Sequence, residues 1–307
     1  VTDRLPTDTR AWILDVDGCL MRTARAGGSG GTAMPAAGEF VAALHRAGHA
    51  VIVCTNASQR PPAEYAQHLR DNGIEIADQD FVTAGSAAAD YIANHHRGAR
   101  VLAVGDRGLI EPLTAHGLDL ADPGDRPADV VVVGAADSYT TAAINAAALA
   151  VDAGAALYTT VNLPWFHGGL GKSVAVSAAM AHAIAWAAGA EPIVLGKPSA
   201  ALGETLTSRL DVDPAQISVV GDATAEIDLA RSMGAHSVLV LSGATDPAAL
   251  AALPDPRRPD LVATDIEDLY TRLTPIFRST SKEPGDDLYS AREPACHRTC
   301  HPVRLLR

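Results

Sequence analysis

Two aspartates one residue apart, Asp15 and Asp17, are the first residues whose types and spacing could do chemistry. They follow the apolar run Trp12-Ile13-Leu14 and precede Gly18. Neither carboxylate can face a core as an unpaired charge. At a strand's C-terminal end both can reach a ligand, and Gly18 lets the backbone turn close to it. Three later stretches repeat the arrangement. Ala50-Val51-Ile52-Val53-Cys54 runs into Thr55-Asn56-Ala57-Ser58-Gln59-Arg60, Ile193-Val194-Leu195 into Gly196-Lys197-Pro198, and Ile217-Ser218-Val219-Val220 into Gly221-Asp222, with Glu226 four residues on. If these four strands share one parallel sheet, their ends share one edge. That edge gathers carboxylates, a hydroxyl, an amide and an ammonium. Clustered carboxylates repel unless a cation lies among them, and hard oxygen ligands suit Mg²⁺. A carboxylate nucleophile, a metal and a lysine together describe phosphoryl transfer through an aspartyl-phosphate.

The elements that must position these residues are legible as alternating strand and helix patterns. Periodicity predicts helices over 36–47, 65–72, 87–95, 108–115, 142–153 and 174–188, and strands over 81–83, 101–105, 129–134 and 156–161. This alternation predicts an α/β fold with a parallel sheet, and residues 83–188 read as a second α/β unit. At 48% hydrophobic and 20% charged, the 307-residue chain has a globular composition. It has no apolar run long enough for a membrane span. A net charge of −12 argues against nucleic-acid binding. The polar start from Val1 to Arg10 lacks the apolar stretch of a signal peptide, so a cytoplasmic location is expected.

Basic residues are nearly all arginine: only Lys172, Lys197 and Lys282 are lysines. A lysine against that background is a candidate for a site needing a compact ammonium. Gly169-Leu170-Gly171-Lys172-Ser173 suggests a P-loop, but Phe166 stands where that pattern needs glycine. Asn162 to Lys172 is therefore expected to be a glycine-rich loop, with Trp165 and Phe166 either plugging it or lining a pocket. Met21 to Pro35 reads as a glycine-rich surface loop or as a flap carrying Arg22 and Arg25. Cys19 and Cys54 read as small buried hydrophobes. Cys296, His297, Cys300 and His301 fit neither haem attachment nor a tetrahedral zinc site, and the segment from Ser279 onward reads as a disordered tail.

The four motifs Asp-x-Asp-Gly, Thr-Asn-x-Ser-x-Arg, Gly-Lys-Pro and Gly-Asp, in this order and each after a strand, resemble the haloacid dehalogenase (HAD) superfamily over about residues 11 to 275. The roughly 140 residues between Thr55 and Lys197 resemble the insertion of subfamily IIA, which includes 4-nitrophenylphosphatase-like, phosphoglycolate and pyridoxal phosphatases. The resemblance implies a Rossmann-like parallel-sheet core from residues 1–82 and 189–277. It also implies a large inserted α/β cap over 83–188, with 278–307 as the tail. By motif it makes Asp15 the nucleophile and a Mg²⁺ ligand. Asp17 becomes the general acid and base, with its backbone carbonyl on the metal. Lys197 becomes the neutralising cation, and Asp222 and Glu226 the remaining metal positions. It places Thr55 and Asn56 on the phosphoryl oxygens and Arg60 and Asn162 on the substrate, and Trp165, Phe166, His167 and Lys172 of the 162–172 loop are expected to help select the leaving group.

The chain departs from the subfamily pattern at Ala57, where asparagine is usual, and in a longer, glycine-rich 21–35 segment. Its 162–172 loop also lacks the usual acidic residue and second proline. The implied function is a Mg²⁺-dependent phosphatase acting on a small phosphorylated metabolite, with copies associating through the cap. A phosphomutase and a catalytically silent phospho-ligand binder are the alternatives.

Overall fold

The computed structural model describes residues 7–23, 30–125, 128–168 and 171–280. Arg25 and the Cys/His cluster at 296–301 lie outside them. The chain opens with β1 (Ala11–Leu14), β2 (Met21–Arg22), β3 (Thr32–Ala33), α1 (Ala37–Arg46), β4 (Ala50–Thr55), α2 (Pro62–Asp71), β5 (Phe81–Thr83) and α3 (Ala84–His95). It continues with β6 (Arg100–Val104), α4 (Arg107–Ala115), β7 (Asp119–Leu120), β8 (Val130–Val133), α5 (Thr141–Asp152), β9 (Ala156–Thr159), β10 (Trp165–Gly168), β11 (Gly171–Val174) and α6 (Val176–Ala188). The last part holds β12 (Ile193–Val194), α7 (Ala200–Leu210), β13 (Ile217–Gly221), α8 (Thr224–Met233), β14 (His236–Val240), α9 (Pro247–Ala251), β15 (Leu261–Ala263) and α10 (Ile266–Thr280).

The first sheet has the order β15-β14-β13-β1-β4-β5, with every pairing parallel. β1 is central and wholly buried, so it is apolar on both faces. Successive side chains alternate between two cores. Trp12 and Leu14 pack with Phe40, Leu44 and Phe81 on one face, and Ala11 and Ile13 with Ile52, Val219 and Leu206 on the other. Helix α7, which periodicity did not flag, covers the second face. Leu202, Leu206 and Leu210 line its buried stripe, and Ser199 caps its start by accepting from the Leu202 N–H at 3.2 Å. Leu14 sits in register with Val220 on one side and Val53 on the other. Thus β1, β4 and β13 end level with one another.

The second sheet has the order β12-β9-β8-β6-β7, also parallel. The expectation that Ile193-Val194 belongs with β1, β4 and β13 is therefore corrected. The two residues pair with Tyr158 and Thr159 of β9. A two-residue strand at a sheet edge carries too short a pattern to select its partner. The 162–172 loop is also corrected: β10 and β11 form an antiparallel hairpin. The ends of the 21–35 segment pair likewise, Met21 with Ala33 and Arg22 with Thr32. Helix α3 starts at Ala84, three residues before the predicted start. Thr83 and Ser86 form a capping box there, each side chain bonding the other's backbone N–H at 3.0 Å.

One pH-sensitive contact ties β1 to the turn before β4. The Trp12 indole Nε1–H donates to His49 Nδ1 at 2.8 Å, so that nitrogen must be unprotonated. Burial, with Arg10 as the second cause, holds the His49 pKa below 6.5. Folding therefore favours neutral His49. Its contribution is complete above pH 6.5 and is lost as pH falls from there through the lower folded-state pKa. We expect wild-type Tm to decline over that window more steeply than that of His49→Gln. Parallel slopes would contradict this.

Candidate active site

The level ends of β1, β4 and β13 bring three motifs to one edge. Asp15 follows β1 directly, and its N–H donates to the Val220 carbonyl at 2.9 Å, extending the ladder by one residue. Gly18 then adopts φ 76°, in the left-handed region. Lys197 arrives from the second sheet. Asn56 fixes that crossing, because its Oδ1 accepts from the Lys197 N–H at 2.8 Å and its Nδ2 donates to the Lys197 carbonyl at 3.2 Å. Lys197 is only 3% exposed. Its Nζ bonds Asp15 Oδ1, Glu226 Oε1 at 2.8 Å and the Cys54 carbonyl at 3.1 Å. All three ammonium hydrogens have acceptors.

Asp222 is held against bare backbone. Its Oδ2 accepts from the Ala244 N–H at 2.6 Å. A Cβ at Gly18 or Gly243 would collide with that oxygen, and one at Gly221 would collide with the Glu226 side chain. Glu226 Oε2 accepts from the Ala223 N–H at 3.2 Å. Asp17 accepts from the Thr23 hydroxyl at Oδ1.

The charges in this cluster do not balance. Burial pushes the Asp15 carboxyl well above the ordinary carboxylate range, with Glu226, Asp222 and Asp17 adding to the shift against Lys197. Burial, then Glu226, pushes Asp222 up to about 7. Burial works to lower the Lys197 pKa, but Asp15 and Glu226 outweigh it and keep the ammonium protonated. Four carboxylates thus face one lysine. Among the described residues no three His, Cys, Asp or Glu side chains form a ready-made metal cage. Mg²⁺ does not need one, since it binds through one or two carboxylates and keeps several waters. Asp15, Asp222 and the Asp17 carbonyl supply hard oxygens of the right kind, so the donor set fits. Each Glu226 oxygen already has a partner, which favours a role on Lys197 over direct metal contact.

A cavity of about 390 Å³ opens above this edge. Asp15, Asp17, Thr55, Asn56, Lys197 and Asp222 line its floor with Glu226. Residues of the β10–β11 hairpin and the start of α6 also line it. The loop after β4 is pinned to the second sheet. Ser58 Oγ accepts from the Ala135 N–H at 2.9 Å and bonds the Thr160 hydroxyl at 3.2 Å, and the Gly108 N–H donates to the Gln59 carbonyl at 3.1 Å.

Seven expected residues meet here: Asp15, Asp17, Thr55, Asn56, Lys197, Asp222 and Glu226. Arg60, Asn162 and Lys172 do not. All three are exposed and outside the lining, and Asn162 Oδ1 instead faces His182 Nε2 at 2.8 Å. Lys172 is the second residue of β11, and His167 pairs with it across the hairpin. Trp165 and Phe166 line the cavity. Thr23, Ser58 and the Ala244 amide were not anticipated. Ser58 lay within a recognised motif, but the places of the other two depend on loop geometry that no local pattern encodes.

Comparison with known proteins identifies the family. Residues 12–119 match the family described as haloacid dehalogenase-like hydrolase, and residues 194–269 a HAD-hydrolase-like family. The acid sugar phosphatase of Staphylococcus saprophyticus is 30% identical over 216 residues, covering 69% of this chain and 78% of that protein. The structure of a p-nitrophenyl phosphatase from Archaeoglobus fulgidus superposes with a TM-score of 0.77 at 28% identity, covering 87% of this chain and all of that one. A glycerol phosphate phosphatase from Mycobacterium tuberculosis, solved with magnesium, gives 0.77 at 27% identity, covering 88% of this chain and 79% of that one. Among the described residues no helix is long and apolar enough to cross a membrane. With its parallel-sheet core, its second α/β unit and these relatives, the chain belongs to the haloacid dehalogenase-like hydrolases, as a phosphatase of that family.

Proposed function

We propose that this protein is a Mg²⁺-dependent phosphatase that hydrolyses a small phosphomonoester through an aspartyl-phosphate on Asp15. The observation that carries the reading is Asp15 itself. It is buried at the cavity floor, bonded to Lys197, and flanked by Asp17 and Thr55. An Asp15 oxygen attacks phosphorus, and the bond to the leaving oxygen breaks. Asp17 donates its proton to that oxygen. As a carboxylate it then takes a proton from water, whose oxygen attacks the phosphoaspartate, freeing phosphate and restoring Asp15. Thr55 and the Asn56 N–H hold phosphoryl oxygens, and Lys197 neutralises charge on the attacking carboxylate. Mg²⁺, when bound by Asp15, Asp222 and the Asp17 carbonyl, offsets the charge of the phosphoryl group. The relatives named for acid sugar and glycerol phosphate phosphatase activity support this reading, as does the neighbour solved with magnesium. We assign residues 1–82 and 189–277 to the catalytic core and 83–188 to the cap, with β12 pairing into the cap sheet.

The direct test is phosphate release from a phosphomonoester panel before and after chelation. We expect EDTA to abolish release and added Mg²⁺ to restore it. Turnover that persists in EDTA would contradict the metal requirement.

Thr23 gives a second test. Its hydroxyl donates to Asp17 Oδ1, which steadies the acid. Thr23→Val should lower kcat/KM by about tenfold on an alkyl phosphate, whose leaving oxygen needs the proton. The loss should be several times smaller on 4-nitrophenyl phosphate, whose leaving group departs without it. Equal losses on both esters would remove Thr23 from the acid step.

A further inference from the structure

We propose that the cavity selects phosphomonoesters whose leaving group is uncharged and presents an apolar face. It should turn away esters bearing a carboxylate or second phosphate beyond the scissile bond. This rests on the phosphatase reading above and names its substrate class.

The part of the cavity lining contributed by the β10–β11 hairpin and the residues around it is apolar. Leu163, Trp165, Phe166, Val174 and Val176 build it, and the hydroxyls of Ser173 and Ser177 are its polar side chains. Among the described lining residues Lys197 is the only Lys or Arg, and its three hydrogens are engaged by Asp15, Glu226 and the Cys54 carbonyl. Lys172 and Arg60 are exposed outside the lining.

The exposure pattern gives an independent argument. Seven large apolar side chains are exposed among the described residues. Three of them stand at this one cavity: Trp165 at 44%, Val174 at 47% and Val176 at 39%. Apolar side chains gathered at a concave site, rather than scattered singly, mark a surface that a ligand covers.

The chemistry of the two ester classes then separates them. An uncharged leaving group with an apolar face replaces water on this wall at no electrostatic cost. A carboxylate in the same place loses its hydration against apolar side chains and finds no free counter-charge among the described lining residues.

The test uses the full chain with Mg²⁺ and a matched pair of esters, 4-methylphenyl phosphate and 4-carboxyphenyl phosphate. We expect kcat/KM for the neutral ester to exceed that for the carboxylate by about tenfold or more. Val174→Lys places an ammonium on the exposed hairpin wall. It should raise the carboxylate ester relative to the neutral one by about tenfold. Hydrolysis of both esters at similar rates by the wild type, or a ratio unmoved by Val174→Lys, would overturn the substrate class and leave the phosphatase reading standing. No phosphate from either ester, or from any small phosphomonoester, would overturn both.

Discussion

Asp15→Asn is expected to abolish phosphate release, with kcat falling by about 10,000-fold or more while the fold survives. The size of the loss follows from the role proposed for this oxygen. Asparagine keeps the shape of the side chain and can still meet Lys197, but its amide is not a nucleophile toward phosphorus. Removing a covalent nucleophile leaves only what binding and electrostatics contribute. Folding should be spared because the substitution removes one charge from a cluster with an excess of carboxylates. Burial already holds the Asp15 carboxyl well above its ordinary range, so a neutral side chain is tolerated there. Steady-state rates and a thermal melt on the same preparation check both halves. Residual activity within tenfold of wild type would show that another group attacks phosphorus.

Lys197→Met has the opposite character, because it damages stability as well as rate. Lys197 and Asp15 are 3% and 7% exposed, and the ammonium also serves Glu226 and the Cys54 carbonyl. Methionine fills the volume but strands two buried carboxylates. Removing one partner of a buried ion pair typically costs about 3–5 kcal/mol. In a chain of this size that lowers Tm by on the order of 10 °C. The double variant Lys197→Met/Glu226→Gln, which removes one stranded charge, should recover part of the loss. A single variant as stable as wild type, or a double variant less stable than the single, would mean that Lys197 does not neutralise this cluster.

The chemistry was legible in the sequence wherever a reactive residue ended a long apolar strand. Asp15, Thr55 and Asp222 follow β1, β4 and β13, whose runs of four to six residues declare buried parallel strands. Lys197 was found for a different reason than expected. Its motif is local, but its strand belongs to the other sheet. Partner choice for two residues is a tertiary matter. The cap was least legible. The β10–β11 segment is rich in glycine, and only its pairing reveals a hairpin. In the hairpin Lys172 is exposed outside the cavity lining, whereas Trp165, Phe166 and Val174 line it. Thr23 and the Ala244 amide escaped for a related reason, since each reaches its aspartate through a loop.

The most direct measurement of the central claim is mass spectrometry of the peptide containing Asp15 after acid quench during turnover with Mg²⁺. A phosphoryl group is expected on Asp15 in the wild type and none in Asp15→Asn. Steady turnover with no phosphoryl group on Asp15, or with one on a different residue, would contradict it.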